Sequence, residues 1–300
     1  MNNVRVTRRD IGRICAGAVL GRLRGAGREP LTWAAQADAG PGTERRYRAD
    51  AQVIVLGIPL LHRQGVGEGS ASWREWTKDG AAMRLLEYSG RSAPERAAGL
   101  NRFGFIQELS RTVEGEGTES LYFGLMTSSP EDNAAEAKKA LHSTSKDAMY
   151  SAIDGHLTAG AIETTGAKFV AQARTTAADR SELMERARQA LAGAQKRTTE
   201  WHSAEGAPLP FLHALAEALS RKGAGETQCA YNGRMYRLKV QKAPDGKTPG
   251  VTRVSATLQR EGGPLNEFQV WIEEGSARPL PLRIEYQPKS YLRLTFEAIG

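Results

Sequence analysis

The residues best suited to ligate a metal or move a proton are five histidines, His62, His142, His156, His202 and His213. No two stand at the HxH or HxxxH spacing that turns two imidazoles to one side, and no carboxylate cluster accompanies them. The pattern therefore predicts neither a metal site nor a cofactor. Nucleophilic catalysis has no local motif either. Gly67-Glu68-Gly69-Ser70-Ala71 is not a GxSxG elbow, and Ala71-Ser72-Trp73-Arg74 continues as strand where an elbow or a nucleotide loop would open a helix. Glu273 and Glu274 are neighbours, so a strand points them to opposite faces. Glu114 and Glu116 share a face, but Gly115 and Gly117 place them in a loop. A triad drawn from distant residues stays open, and the reading leans away from an enzyme.

Residues that could bind rather than react are a glycine set and two tryptophans. Gly65, Gly67 and Gly69 fall on one face of a long strand candidate, Leu60 to Trp76, by the two-residue period. Such a face is either the floor of a groove or a bulged strand turning a corner, and the second is the commoner use. Trp73 and Trp271 can line an apolar cavity, although core packing is the default for a large aromatic residue. Gly65, Gly67, Gly69, Trp73 and Trp271 are the candidate ligand-binding residues.

Strand patterns dominate the elements that must position them. They run from Tyr47 to Leu56, Leu60 to Trp76, Ala82 to Tyr88, Phe103 to Thr112 and Leu121 to Met126. Ser129-Pro130-Glu131-Asp132 opens a helix to about His142, since serine caps, proline suits the first turn and acids favour the dipole. Short strands near Gly160–Thr164 and Lys168–Ala173 precede a second helix near Ala178–Leu191, and Thr198 to Pro210 reads as loop. A third helix, Phe211 to Leu219, carries an apolar stripe of Phe211, Leu212, Leu215 and Leu219 suited to packing on a sheet. Asn232-Gly233 turns a hairpin, and the chain ends in alternating strands, the last with Leu292, Leu294 and Phe296 on one side. No tandem repeat appears. The expected fold class is α+β: a strongly curved antiparallel sheet, half-barrel-like, with about three helices packed on it.

The net charge of +7 suggests nucleic acid until it is located. Seven arginines and three acids in Met1–Ala39 account for +4, which leaves +3, well interspersed, for the rest. Nucleic acid is therefore not an expected partner. Of the two cysteines, Cys15 lies in the N-terminal stretch read next as a leader, which leaves Cys229 alone, and one cysteine makes neither an internal disulfide nor a CxxC site. Arg8-Arg9 precedes a short apolar run, Ile14 to Leu20, and Ala35-Gln36-Ala37 and Ala37-Asp38-Ala39 both have the A-x-A cleavage form. This resembles the twin-arginine export signal. The resemblance implies a leader at 1–39, a mature domain at 40–300 with a helical insertion near 129–210, the twin-arginine export machinery as a partner, and a periplasmic or cell-envelope location. The apolar run is too short to span a bilayer, so the mature chain is not expected to cross one with a helix. A basic N-terminal arm is the alternative reading of the same residues.

From about Pro210 to Ala298 the chain looks like a family of exported bacterial β-proteins known only as a domain of unknown function. The residues that carry the likeness are helix Phe211–Leu219, the strand pair around Asn232-Gly233, Phe268-Gln269-Val270-Trp271-Ile272-Glu273-Glu274, and Arg278-Pro279-Leu280-Pro281-Leu282-Arg283-Ile284-Glu285. More distantly it resembles the half-barrel of lipoprotein carriers of the LolA and LolB type. That likeness implies a periplasmic or envelope binding or carrier protein for a lipid or other apolar ligand. The alternatives are a structural or assembly factor that binds another envelope protein, and a hydrolase whose site is not written as a local motif.

Overall fold

The computed structural model describes residues 30–55, 58–97, 102–127, 147–172, 177–201 and 207–300. The chain divides into two units, Met1–Pro30 and Leu31–Gly300. Of the first only Pro30 is described, so Arg8-Arg9 and the apolar run lie outside the described residues, as does the helix expected from Ser129 to His142.

The described residues of Leu31–Gly300 form one sheet of fifteen strands. In chain order they are β1 (Thr43–Val55), β2 (Ile58–Lys78), β3 (Ala81–Ser92), β4 (Phe103–Val113), β5 (Gly117–Thr127), β6 (Asp147–Leu157), β7 (Ala161–Gln172), β8 (Lys196–Glu200), β9 (Leu209–Pro210), β10 (Gly225–Tyr231), β11 (Arg234–Pro244), β12 (Val251–Gln259), β13 (Leu265–Glu273), β14 (Arg283–Lys289) and β15 (Leu292–Ile299). Two α-helices are described, α1 (Ala177–Ala192) and α2 (Phe211–Ser220), with a 3-10 turn at Trp33–Asp38. The protein is thus mostly β, and the α+β expectation of three helices layered on a half-barrel is overturned. The stretch read as a helical insertion supplies β6, β7, β8 and β9, and the two short strands expected near 160–173 are one strand, β7.

The spatial order is β8 to β1 in descending sequence, then β15 to β9 in descending sequence. Two antiparallel meanders, β1–β8 and β10–β15, therefore meet at one seam, where Tyr47 pairs with Ala298 and Val53 with Leu292, and β9 adds to β10 in parallel. Tight turns set the register. Asp79-Gly80 and Asn232-Gly233 both hold positive φ at two successive residues, the geometry of a two-residue hairpin loop.

Each face of the first meander has its own cover. Met83 and Leu85 of β3, Leu109 of β4 and Leu121 of β5 face outward and pack beneath Leu31. Phe105, Phe123 and Tyr150 lie under Leu183, Ala187 and Leu191 of α1. Leu31–Asp38 falls within the stretch read as leader, yet it is packed here. Gln107 donates to Gln36 (2.8 Å) and Lys78 pairs with Asp38 (2.5 Å).

The inner face is filled by α2, buried at seven of its ten positions. Ala214, Leu215, Ala218 and Leu219 meet Leu238, Val254 and Val270 of the second meander. Leu212 and Ala216 meet Tyr47, Trp73 and Leu86 of the first. The sheet curls far enough that Ala230 and Met235, beside the β10–β11 turn, pack on Tyr122 and Leu157 of β5 and β6.

At that overlap the Tyr122 ring lies over Gly155, and its hydroxyl bonds Thr164 (2.8 Å). A β-carbon on residue 155 would occupy the ring's space. We expect Gly155→Ala to destabilise the protein by about 1–3 kcal/mol, the usual effect of overpacking. Gly166→Ala, whose β-carbon meets only the Ala152 carbonyl at 3.9 Å, should change little. Equal urea midpoints for the two variants would contradict this packing.

Candidate functional site

Helix α2 is positioned by charges from both meanders. Its N-cap is Pro210, which offers no side-chain acceptor. Glu108, on the inner face of β4 and only 2% exposed, takes that role. It accepts the backbone N–H groups of Leu212 (2.9 Å) and His213 (3.0 Å) and the ring Nδ1–H of His213 (3.0 Å). At the other end Lys242 of β11 donates to the carbonyls of Leu219 (2.7 Å) and Arg221. An anion at the N-terminus and a cation at the C-terminus match the helix dipole. His213 Nε2 is buried with no partner among the described residues.

Away from the helix, the same inner face opens. Register places Gly69 opposite Gly90 and Gly90 opposite Gly104, a row of three glycines across β2, β3 and β4. The Phe296 ring covers the first two, 3.5 Å from a β-carbon on Gly69 and 3.7 Å from one on Gly90. Over Gly104 no atom of the described residues lies within 4 Å. Ile106 and Met126 flank that bare floor, both partly exposed.

Further toward the strand ends the inner face becomes an apolar lip. Leu61 pairs with Val53, Met149 with Val170 and Tyr286 with Leu294. Leu61, Met149, Val170 and Tyr286 are four of the six large apolar residues exposed in the described structure. Burial raises the Tyr88 hydroxyl pKa, as expected of a phenol set in a concavity. Glycine floor, apolar walls and a wet opening together make a groove able to take an elongated apolar chain.

The sequence-derived candidates are divided by this geometry. Gly67, Gly69 and Trp73 lie on the groove face of β2, with Trp73 in the core against α2. Gly65 sits in a bulge at φ +61, where Ala49 and Ala51 pair with Gly67 and Arg63, and its N–H donates to Asp50 Oδ1 (2.8 Å). Trp271 lies on the opposite face of the sheet from Trp73. There its N–H donates to Asp245 (3.4 Å) and the Arg283 guanidinium stacks 4.9 Å from its ring. Gly90, Gly104, Glu108 and Lys242 were not among the candidates, because only the register brings them to the groove and its base.

A second polar group lies on the outer face. His156 Nε2 and Glu119 Oε1 are 2.6 Å apart, Arg111 pairs with Glu119, and the Leu31 N–H also bonds Glu119 (3.3 Å). Burial acts to raise the Glu119 pKa, but the bonds from His156 and Arg111 outweigh it and hold the carboxyl below its usual value. The cluster therefore stabilises the fold at neutral pH and loses that contribution as pH falls through the depressed pKa. Glu119→Gln should cost about 1 kcal/mol at neutral pH and almost nothing near pH ~2. A constant urea-midpoint difference over that range would remove the cluster from the stability balance.

Among the described residues no three His, Cys, Asp or Glu side chains converge to hold a metal ion. Cys229 is buried against α2, and desolvation pushes its thiol up to about 12. An open depression of about 420 Å³ lies at the far end of β1, lined by Ala39 to Glu44, Ser72 and Arg74. Its walls are small or charged, unlike those of the groove.

Among solved structures the chain is similar to a beta-barrel-like protein of domain of unknown function DUF1849 from Brucella abortus. The two share 8% identity over 86% of this chain and 96% of that one, with a TM-score of 0.43. No family model matches the chain, and no curated protein matches it.

Proposed function

We propose that this protein is an exported cell-envelope binding protein that holds an elongated apolar ligand, the acyl chain of a lipid, along the inner face of β2–β7. The observation that carries the reading is the floor at Gly104, with no atom of the described residues within 4 Å of a β-carbon there, beside the exposed Leu61, Met149 and Val170. Exposed apolar surface on an inner sheet face costs free energy in water, and a bound chain removes that cost at ~25 cal/mol per Å². The paired arginines and A-x-A sites supply the envelope part of the proposal. Docking of a protein strand on the sheet edge is the poorer reading. Edge strand β8 is exposed along its whole length and carries Lys196, Arg197 and Glu200, charges that resist strand addition.

Native mass spectrometry of protein taken from a bacterial envelope without detergent tests the proposal. Extractable lipid adducts, reloaded after delipidation, are expected. A clean protein mass after incubation with envelope lipids would overturn it.

A further inference from the structure

We infer that leader processing cuts the chain ahead of Leu31, and that Leu31–Asp38 stays with the mature protein as a strap across the outer face of the first meander. This rests on the export part of the reading above, and it moves the end of the leader from residue 39 to a point before residue 31.

Side chains from four strands anchor the strap. The Trp33 indole N–H bonds the Asp154 carboxylate of β6, and the Leu31 N–H bonds Glu119 of β5 (3.3 Å). Gln36 accepts from Gln107 of β4 (2.8 Å), and Asp38 pairs with Lys78 of β2 (2.5 Å). Apolar contact runs between these anchors. Leu31 is only 5% exposed and, with Trp33 and Ala35, covers Met83, Leu85, Leu109 and Leu121. Among the described residues, those three are the members of this cluster from outside the sheet. Trp33 also reaches the neighbouring cluster beneath α1. Without the strap, four large apolar side chains on an outward sheet face would meet water, a patch that favours association.

Both small-residue motifs lie inside this strap. Ala35-Gln36-Ala37 and Ala37-Asp38-Ala39 are wound into the 3-10 turn Trp33–Asp38. The Ala35 N–H bonds the Thr32 carbonyl (3.1 Å) and the Ala39 N–H bonds the Gln36 carbonyl (3.0 Å). Recognition of a peptide by strand addition needs it extended, and the folded chain presents neither motif in that form. A cut after Ala37 or Ala39 made before folding would instead leave the body without its cover. Either order of events sets the two motifs against the fold, and a cut ahead of Leu31 keeps every anchor.

The test uses the full chain, expressed with its own N-terminus in a bacterium and recovered from the periplasm for intact mass and N-terminal sequencing. Ala37 is exposed and belongs to both motifs, as the last residue of one and the first of the other. Ala37→Arg therefore removes both cleavage forms without touching a packed side chain. The mature chain should begin no later than Leu31, and Ala37→Arg should leave that start and the yield unchanged. Trp33→Ala should lower the urea midpoint of the mature protein. A mature chain that begins after Leu31, at Asp38 or Gly40 above all, overturns the inference and leaves export standing. Processing blocked by Ala37→Arg, or a midpoint unmoved by Trp33→Ala, overturns it as well. An uncut chain in the periplasm overturns it and leaves the envelope location, whereas an uncut chain confined to the cytoplasm overturns export and the inference together.

Discussion

Replacing Glu108 by alanine should lower stability by about 3–5 kcal/mol, the loss expected when one partner of a buried, hydrogen-bonded pair is removed. The carboxylate serves three donors at once, two backbone N–H groups at the start of α2 and the His213 ring. Without it all three are buried beside a cavity, and Pro210 has no group to substitute. Because α2 joins the two meanders, the effect should appear as one cooperative shift. For a unit of this size it amounts to roughly 6–20 °C in Tm. Glu108→Gln keeps an acceptor and should lose less. A Glu108→Ala protein that melts within a degree or two of wild type would show that the pair does not hold the helix.

The second large effect concerns binding. Gly104→Phe should leave the fold intact, since a β-carbon there meets no atom of the described residues within 4 Å and aromatic residues suit strands. The ring would occupy the floor and displace about three methylenes of a bound chain. At about 0.8 kcal/mol per methylene, affinity should fall roughly 50-fold. Unchanged melting with lost lipid adducts is the expected pair of results. Unchanged melting with unchanged adducts would move the ligand off the floor of β4.

Most strands were legible because their two faces differ in polarity. β15 places Leu292, Leu294 and Phe296 inward against Arg293, Thr295 and Glu297 outward, and β12 alternates as regularly. β6 escaped because both of its faces are mixed. Met149, Ile153 and Leu157 share one with Ser151 and Gly155, while Tyr150 shares the other with Ala148, Asp154 and His156. Its partner β7 was split in two by Gly166, which is exposed and needs no turn.

Helix α2 was visible as an apolar stripe, but a stripe implies one buried side, and this helix is enclosed by two meanders. The stripe divides between them, Leu215 and Leu219 toward one and Leu212 toward the other, and the alanines that complete both sides, Ala214, Ala216 and Ala218, carry little periodic signal. The groove was half legible. Gly67 and Gly69 lie on one face in the sequence itself, but their continuation to Gly90 and Gly104 depends on pairings between strands more than ten residues apart. Glu108 gave no warning, since its partners are 104 and 105 residues away.

The seam between β1 and β15 bears on synthesis. Both strands are central in the finished sheet, yet the β15 residues that pair with β1, such as Leu292 opposite Val53, are made about 240 residues after it. At ~5–20 residues per second the ribosome needs roughly 12–50 s to supply them. Through that interval the first meander can assemble locally while β1 keeps an unpaired row of N–H and C=O groups, a template for another nascent chain. The outward side of β1 carries Arg46, Arg48 and Asp50, and these charges guard an edge that exists only while the protein is being made.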